Sequence, residues 1–176
     1  STDSLVGDGC GSFAGGWVQV GNDATFAVGG VAFGAWVCWD TGTAAKVAGI
    51  LSNYQSGGEY YTLRTTAAGL PVFAFTGAGG GGTLTGSTRL SDGAWHHVCG
   101  VIKPGSRATL YVDGRPEAET AASVPATVTP AANFFIARDG QNADTWAGRI
   151  DEAFLFGRDL ADGEVARLFI DQYGHH

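Results

Sequence analysis

Two adjacent histidines have side chains that could bind a metal or move a proton. His96 and His97 lie in GAWHHVCGVIK, between a turn and an apolar run. Neighbouring side chains of a strand point to opposite faces, so Trp95, His97 and Cys99 share one face and His96 lies on the other. Because two ligands on one face need an even spacing, the pair is predicted to fill polar strand positions. Neither a shared metal ion nor a catalytic base is expected.

An acidic loop offers a different chemistry. In RDGQNADTW, residues Asp139, Asn142 and Asp144 are spaced D-x-x-N-x-D. Calcium takes about six to eight oxygen ligands, which irregular acidic loops can supply and regular strands cannot. The loop lacks the glycine and terminal glutamate of an EF-hand. Its alternative interpretation is a solvated turn rich in Asn and Asp.

Aromatic side chains next to such loops could stack on the apolar face of a sugar ring. Trp146, beside the acidic loop, and Tyr54, in SNYQSGG, are the strongest candidates. Trp36 and Trp95 lie in apolar runs and are predicted to be in the core. The weaker candidates are Tyr60, Trp39 and Trp17, and for every one of these aromatics the alternative is ordinary packing.

The three cysteines, Cys10, Cys38 and Cys99, have no CxxC spacing, which argues against a zinc site or a complete disulfide framework. Cys38 and Cys99 both fall in predicted strands. They could pair in an oxidising compartment, but buried free thiols are the favoured interpretation.

Composition limits the class of protein. The chain has 176 residues, 44% of them hydrophobic and only 15% charged, with 29 glycines and a net charge of -7. This length suits one domain. Ten scattered basic residues do not form the cationic surface that nucleic-acid binding needs. No apolar run is long enough to span a membrane.

The ends of the chain suggest an excised domain. Methionine is absent, and the sequence ends at His175 and His176. We interpret residues 1–174 as one domain belonging to a larger protein and residues 175–176 as the remainder of a purification tag.

Short apolar or alternating runs separated by turns predict an all-β sandwich. A helix is predicted only near the C-terminus, where Asp162 is a candidate N-cap and Val165, Leu168 and Phe169 follow helical spacing. Residues 77–87 are too glycine-rich for a packed strand, so a flexible loop or a close backbone approach is expected. Residues 117–132 are predicted to be a surface connection, and Pro71 indicates an edge strand. Strands are predicted at 17–21, 31–39, 47–54, 59–66, 70–77, 93–103, 107–114, 133–140 and 148–158.

The motifs DGAWHHV, LYVDG, GRIDE and LADGEV, in this order, resemble the laminin-G-like, concanavalin A-like lectin/glucanase family of jelly rolls. The resemblance covers nearly the whole chain. It implies two antiparallel sheets packed face to face with one short C-terminal helix, an extracellular, cell-surface or virion-surface location, and frequent binding of glycans and calcium.

The same resemblance implies two calcium positions. Asp151 in GRIDE corresponds to a structural site, for which Asp8 or the pair Asn22 and Asp23 could supply further ligands; the alternative is a hydrogen bond from Asp151 to a turn. The acidic loop corresponds to a rim site that Asn53 or Glu59 would complete. The predicted calcium ligands are thus Asp8, Asp23, Asp139, Asp144 and Asp151, and the predicted ligand-binding residues are Asn53, Tyr54, Glu59, Tyr60, Asp139, Asn142 and Trp146.

The glucanases of this superfamily carry an ExDxxE strand that presents two carboxylates side by side. No such run occurs here, and the paired motifs of the lyases are also absent. We therefore predict a non-catalytic carbohydrate-binding or adhesion module, stabilised by calcium, that recognises a glycan or a cell-surface protein through rim loops 53–59 and 138–146. The alternatives are an assembly or receptor-binding module of a larger surface or virion protein and, third, a glycoside hydrolase or polysaccharide lyase.

Overall fold

A computed structural model describes residues 10–21, 30–140 and 144–174. Within these ranges the chain forms twelve strands and one helix. The strands are β1 (Gly11–Ala14), β2 (Val18–Val20), β3 (Val31–Trp39), β4 (Gly49–Ser52), β5 (Tyr60–Thr65), β6 (Pro71–Gly77), β7 (Gly80–Thr85), β8 (Trp95–Lys103), β9 (Arg107–Val112), β10 (Arg115–Thr120), β11 (Phe134–Ile136) and β12 (Ala147–Phe156), and the helix is α1 (Asp162–Tyr173).

The strands form two six-stranded sheets. The first has the order β1-β12-β3-β8-β9-β10, and the second has the order β2-β11-β4-β5-β6-β7. Neighbouring strands pair antiparallel throughout both sheets. The prediction of an antiparallel jelly-roll sandwich with one short C-terminal helix is confirmed.

The main core lies between the two sheets and follows the alternation of strand side chains. In the first sheet, Phe33 and Val98 point inward, and in the second sheet Tyr61, Leu63 and Phe73 meet them. The ring of Phe33 lies 4.9 Å from that of Tyr61 and 5.7 Å from that of Phe73. These contacts fix which residues of each strand face outward.

The helix covers the outer face of the first sheet. Val165 is fully buried in a second cluster that includes Cys99 and Tyr111. The ring of Phe169 stacks on Trp36 at 5.4 Å, and the Trp36 indole donates a hydrogen bond to Gln172 Oε1. No helix in the described part of the chain has the length and apolar character needed to span a membrane.

The helix begins one residue away from the predicted position. Its N-cap is Ala161, so the prediction that Asp162 is the N-cap is wrong. The Asp162 carboxylate instead accepts hydrogen bonds from Arg107 Nη2 and Tyr111 Oη. Glu164 accepts a hydrogen bond from the Ala161 nitrogen, which satisfies one of the free backbone donors of the first turn.

Three predictions about strands are wrong in whole or in part, and the connection predicted at 117–132 begins only after residue 120. Residues 80–85 form strand β7, and residues 115–120 form β10, because their neighbours β6 and β9 supply the pairing that the sequence itself does not favour. The close backbone approach predicted for the glycine-rich stretch does occur: a Cβ on Gly80 would lie 2.0 Å from the Ser123 carbonyl oxygen. Pro71 is not on an edge strand; β6 lies between β5 and β7, and Pro71 is its first residue.

Candidate functional site

The two histidines point to opposite faces of β8, as predicted. His96 Nδ1 lies 2.9 Å from Asp113 Oδ2, and its Nε2 lies 3.3 Å from both carboxylate oxygens of Asp92. His97 lies on the covered face of the first sheet, where its ring stacks on Phe154. The rings therefore do not share one metal ion.

His96 joins two turns of the first sheet. The hydrogen bond with Asp113 raises the pKa of His96 above its ordinary value; burial opposes this shift, and the charges of Asp113 and Asp92 add to it. Asp113 also accepts a hydrogen bond from the His97 nitrogen. These contacts give His96 a structural role as a link between the turn at Asp92 and the turn at Asp113.

The cysteine thiols are free, as favoured by the sequence. Cys38 and Cys99 are both buried and unpaired. Cys99 lies opposite Gly34 and Cys38 lies opposite Trp95, so the two positions are too far apart along the strands for a disulfide. Burial raises the pKa of the Cys99 thiol.

The outer face of the second sheet carries a polar recess of about 230 Å³. Because Tyr61 and Leu63 face the core, the alternate residues of β5 face outward. Ala74 of β6 and Thr83 of β7 continue this surface. The recess is lined by Tyr54, Tyr60, Thr62, Arg64, Ala74, Thr83 and Asp139.

An aromatic pair forms one wall of the recess. The rings of Tyr54 and Tyr60 lie 4.5 Å apart at an angle of 49°, and both side chains are half-buried. The Ser52 hydroxyl accepts hydrogen bonds from the nitrogens of Tyr54 and Gly140. This one buried hydroxyl therefore fixes the backbone of both loops beside the recess.

Two residues of opposite charge line the recess. Arg64 projects from β5, and Asp139 lies in the loop after β11 with only 4% of its surface exposed. The Asp139 nitrogen donates a hydrogen bond to the Asp144 carbonyl, and the Gly49 nitrogen donates to the same oxygen. The acidic loop thus lies directly against β4. The chemistry available is a cation, a carboxylate, hydroxyls and an aromatic wall.

A second aromatic group lies at the β2 edge of the same sheet. Trp17 is 47% exposed, and the guanidinium of Arg138 lies 4.5 Å from its ring centroid and 5.2 Å from that of Phe135. Trp17 was a weaker candidate from the sequence. The structure gives it a more accessible ring than Trp39, which is buried in the core.

Three of the seven predicted ligand-binding residues come together in the recess, namely Tyr54, Tyr60 and Asp139. The prediction that Trp146 is an exposed stacking surface is wrong. Trp146 is 0% exposed, because its backbone nitrogen donates a hydrogen bond to the Ala137 carbonyl oxygen and its ring packs against Trp39 at 4.8 Å in the core.

Two further predicted residues contact the protein instead of the recess. Asn53 is buried, and its Oδ1 accepts a hydrogen bond from the Tyr61 backbone nitrogen. Placing Asn53 on the exposed rim is therefore wrong. Glu59 is half-buried, and its carboxylate accepts a hydrogen bond from the Thr129 nitrogen.

Sequence reasoning missed Thr62, Arg64, Ala74 and Thr83. The signal for the first two was present, because residues 60, 62 and 64 alternate along one strand and therefore share a face. The sequence gives no local signal for Ala74 and Thr83, since they reach the recess only through the pairing of β5 with β6 and β6 with β7.

Calcium binding stays a prediction. Asp139 and Asp144 lie in one backbone-bonded turn, but Asn142 lies outside the described residues, as do Asp8, Asn22 and Asp23. Asp151 is half-buried, and its Oδ1 accepts a hydrogen bond from the Glu152 nitrogen. In the part of the chain that the structure describes, no group of three Asp, Glu, His or Cys side chains is arranged to hold a metal ion.

The fold is similar to those of several solved structures. The binding domain of Paraclostridial Mosquitocidal Protein 1 has a TM-score of 0.71 at 15% identity, over 89% of this chain and 41% of that one. A putative carbohydrate binding protein from Bacteroides ovatus has a TM-score of 0.70 at 16% identity, over 90% and 46%. Domains LG4-5 of the mouse laminin α1 chain have a TM-score of 0.61 at 17% identity, over 83% and 42%.

This chain thus spans less than half the length of each of these three structures. No curated protein matches its sequence. The family model described as the concanavalin A-like lectin/glucanases superfamily, of laminin G type, matches residues 12–166, and the chain therefore belongs to this family.

Proposed function

We propose that the protein is a non-catalytic carbohydrate-binding module and that its ligand binds in the recess on the outer face of the second sheet. One observation carries this proposal: the half-buried Tyr54–Tyr60 pair stands beside a cation, a carboxylate and hydroxyl groups in a single concavity. Sugar rings need this combination, an aromatic wall for their apolar face and polar groups for their hydroxyls.

One feature of the recess and the comparison with solved structures favour binding over catalysis. Asp139 is the one acidic side chain in its described lining, whereas retaining and inverting hydrolysis each use a pair of carboxylates. The names of similar structures support the same conclusion, since they include the binding domain of a mosquitocidal protein and a putative carbohydrate binding protein.

The remaining parts of the proposal rest on the family. We propose that calcium orders the loop containing Asp139 and Asp144 or a site at Asp151, and that the protein acts outside the cell, on a cell surface or on a virion as part of a larger protein. Bound calcium would supply a rigid positive centre to which loop carboxylates and sugar hydroxyls could coordinate.

A glycan array read in calcium and in EDTA tests this function. We expect saccharide binding by the wild-type protein, and titration calorimetry should show a roughly tenfold weaker affinity for Tyr60→Ala, because one stacking surface is lost. Tyr173→Ala is the matched control, since this tyrosine is 63% exposed on α1 and far from the recess.

The result in EDTA separates the calcium proposal from the rest. Loss of binding or of thermal stability in EDTA would support it, and unchanged values would reject calcium while leaving the recess intact. If no saccharide on the array binds under either condition, the carbohydrate-binding function is wrong.

The second candidate function is assembly within a larger surface or virion protein. Strand β7 ends the second sheet, so one of its edges has no strand partner among the described residues. Unpaired edges can add a strand from another chain. Light scattering after size exclusion would show a stable oligomer if this edge mediates assembly and a monomer if it does not.

A further inference from the structure

Arg64 lines the recess without being paired to an acidic side chain among the described residues. Among the residues that the structure describes, its guanidinium makes no ion pair or hydrogen bond. Other arginines do make such bonds: Arg107 contacts Asp162 and Glu119, and Arg158 contacts Glu164. Arg64 is therefore a half-buried cation that lines a concavity.

The side chain suits one class of anion in particular. A guanidinium presents its N–H donors as a rigid planar fork, which matches the two oxygens of a carboxylate. A partly buried cation gains more from such a pair than an exposed one does, because solvent screens it less. An uncharged ligand would leave the Arg64 guanidinium without a charged hydrogen-bond acceptor.

We propose, on the basis of the carbohydrate-binding function above, that the recess is specific for an acidic saccharide whose carboxylate binds Arg64. The sugar ring lies against the Tyr54–Tyr60 pair, and a ring hydroxyl donates a hydrogen bond to Asp139. The opposite charges of Arg64 and Asp139 give the recess a polarity, so a sugar with a carboxylate on one side and hydroxyls on the other binds in one orientation.

The charge of the whole protein makes the expected preference diagnostic. The net charge of -7 opposes non-specific association with anions. A preference for an acidic sugar over its neutral counterpart must therefore come from a local cationic group. The described lining of the recess contains one such group, Arg64.

The test uses pairs of oligosaccharides that differ only at C6: oligogalacturonate with oligogalactan, and oligoglucuronate with oligoglucan. Titration calorimetry should give at least a roughly tenfold tighter Kd for one acidic member than for its neutral partner. In Arg64→Gln this ratio should fall to about one, with the neutral affinity unchanged. Arg64→Lys keeps the charge without the fork and should give an intermediate ratio.

Arg89→Gln is the matched control, because Arg89 is an exposed arginine that does not line the recess, and it should keep the wild-type ratio. If neutral and acidic members bind equally, or if Arg64→Gln keeps the acidic preference, the inference is overturned while the proposed function stands. If no saccharide in either series binds, both are overturned. Thermal melting of each variant identifies any that has failed to fold. If Arg64→Gln does not fold, the ratio of acidic to neutral affinity in Arg64→Lys tests the inference instead.

Discussion

The outer faces of the two sheets differ in what covers them. On the first sheet, helix α1 closes the face, and an apolar cluster of Cys99, Tyr111 and Val165 forms beneath it. On the second sheet, no described helix covers the face, which carries the recess of Tyr54, Arg64 and their neighbours. One face therefore contributes to stability, and the other is accessible to a ligand.

Aromatic and titratable side chains occur on both outer faces, but their surroundings differ. Trp36 and His97 are buried under the helix, where aromatic packing surrounds them. Tyr54 and Tyr60 are half-buried next to charged groups. An aromatic or titratable side chain in this sandwich is thus informative about function only once the sheet and the face that carry it are known.

The largest expected effect comes from the covered face. Trp36→Ala removes a fully buried indole that stacks on Phe169 and bonds to Gln172. We expect the free energy of unfolding to fall by about 3–5 kcal/mol, because both apolar burial and packing are lost. Urea denaturation measures this change, and saccharide affinity of the folded protein should not change.

Ile170→Ala is the control on the same helix, since Ile170 is 66% exposed and should cost little. A Trp36→Ala protein that is as stable as the wild type would show that α1 is not docked on the first sheet. A protein that stays folded but loses saccharide binding would show that the two faces are not independent.

A smaller effect is expected where the acidic loop rests on the second sheet. A Cβ on Gly49 would lie 1.9 Å from the Asp139 nitrogen and 2.0 Å from the Arg138 carbonyl carbon. Gly49→Ala must push this loop outward, so we expect a loss of about 1–3 kcal/mol in the free energy of unfolding, as for overpacking elsewhere. Saccharide affinity should fall as well, because Asp139 moves out of the recess.

Gly16→Ala is the comparison for this variant, since a Cβ there meets nothing within 4 Å. It should leave both stability and affinity unchanged. Full saccharide binding by Gly49→Ala would mean that the position of Asp139 does not matter for the ligand.

The fold could be predicted where strands carry their own signal. The run of nine apolar residues in β3 was predicted with the bounds that the structure shows. Strands β7 and β10 could not be, because glycine-rich and polar residues form strands only when a neighbour supplies the pairing. The C-terminal helix was predicted from its spacing, although its first residue was misjudged.

The site could be predicted only in part, because its residues come from separate strands and loops. Tyr54 was identified from its loop, and Tyr60 was a weaker aromatic candidate at the start of the next strand. Asp139 reaches them through the pairing of Phe135 with Ser52, which no local pattern reveals. Trp146 shows the converse error: it lies near Asp139 and Asp144 in sequence, yet its ring turns into the core. Proximity along the chain does not specify the direction of a side chain.

The smallest expected effect is a pH dependence that belongs to the first sheet alone. The pKa of His96 is raised above its ordinary value of 6.5, because Asp113 and then Asp92 favour its protonated form against the cost of burial. The folded protein therefore holds this proton more tightly than the unfolded chain does. The resulting stability is fully present below pH 6.5 and is lost as the pH rises through the folded-state pKa.

At low pH, protonation of Asp92 reduces the stability of the folded protein. Burial of Asp92 raises its pKa, but hydrogen bonds from Ala94 and His96 outweigh burial and lower the pKa below the ordinary value of 3.8. The stability that ionised Asp92 contributes is therefore present above pH 3.8 and is lost as the pH falls through the folded-state pKa. Urea denaturation from pH 4 to 9 should show a decline on the alkaline side that His96→Gln removes. Saccharide affinity at each pH should be the same in both proteins, because His96 does not line the recess. An affinity that follows the protonation of His96 would contradict the separation of a stabilising face from a binding face.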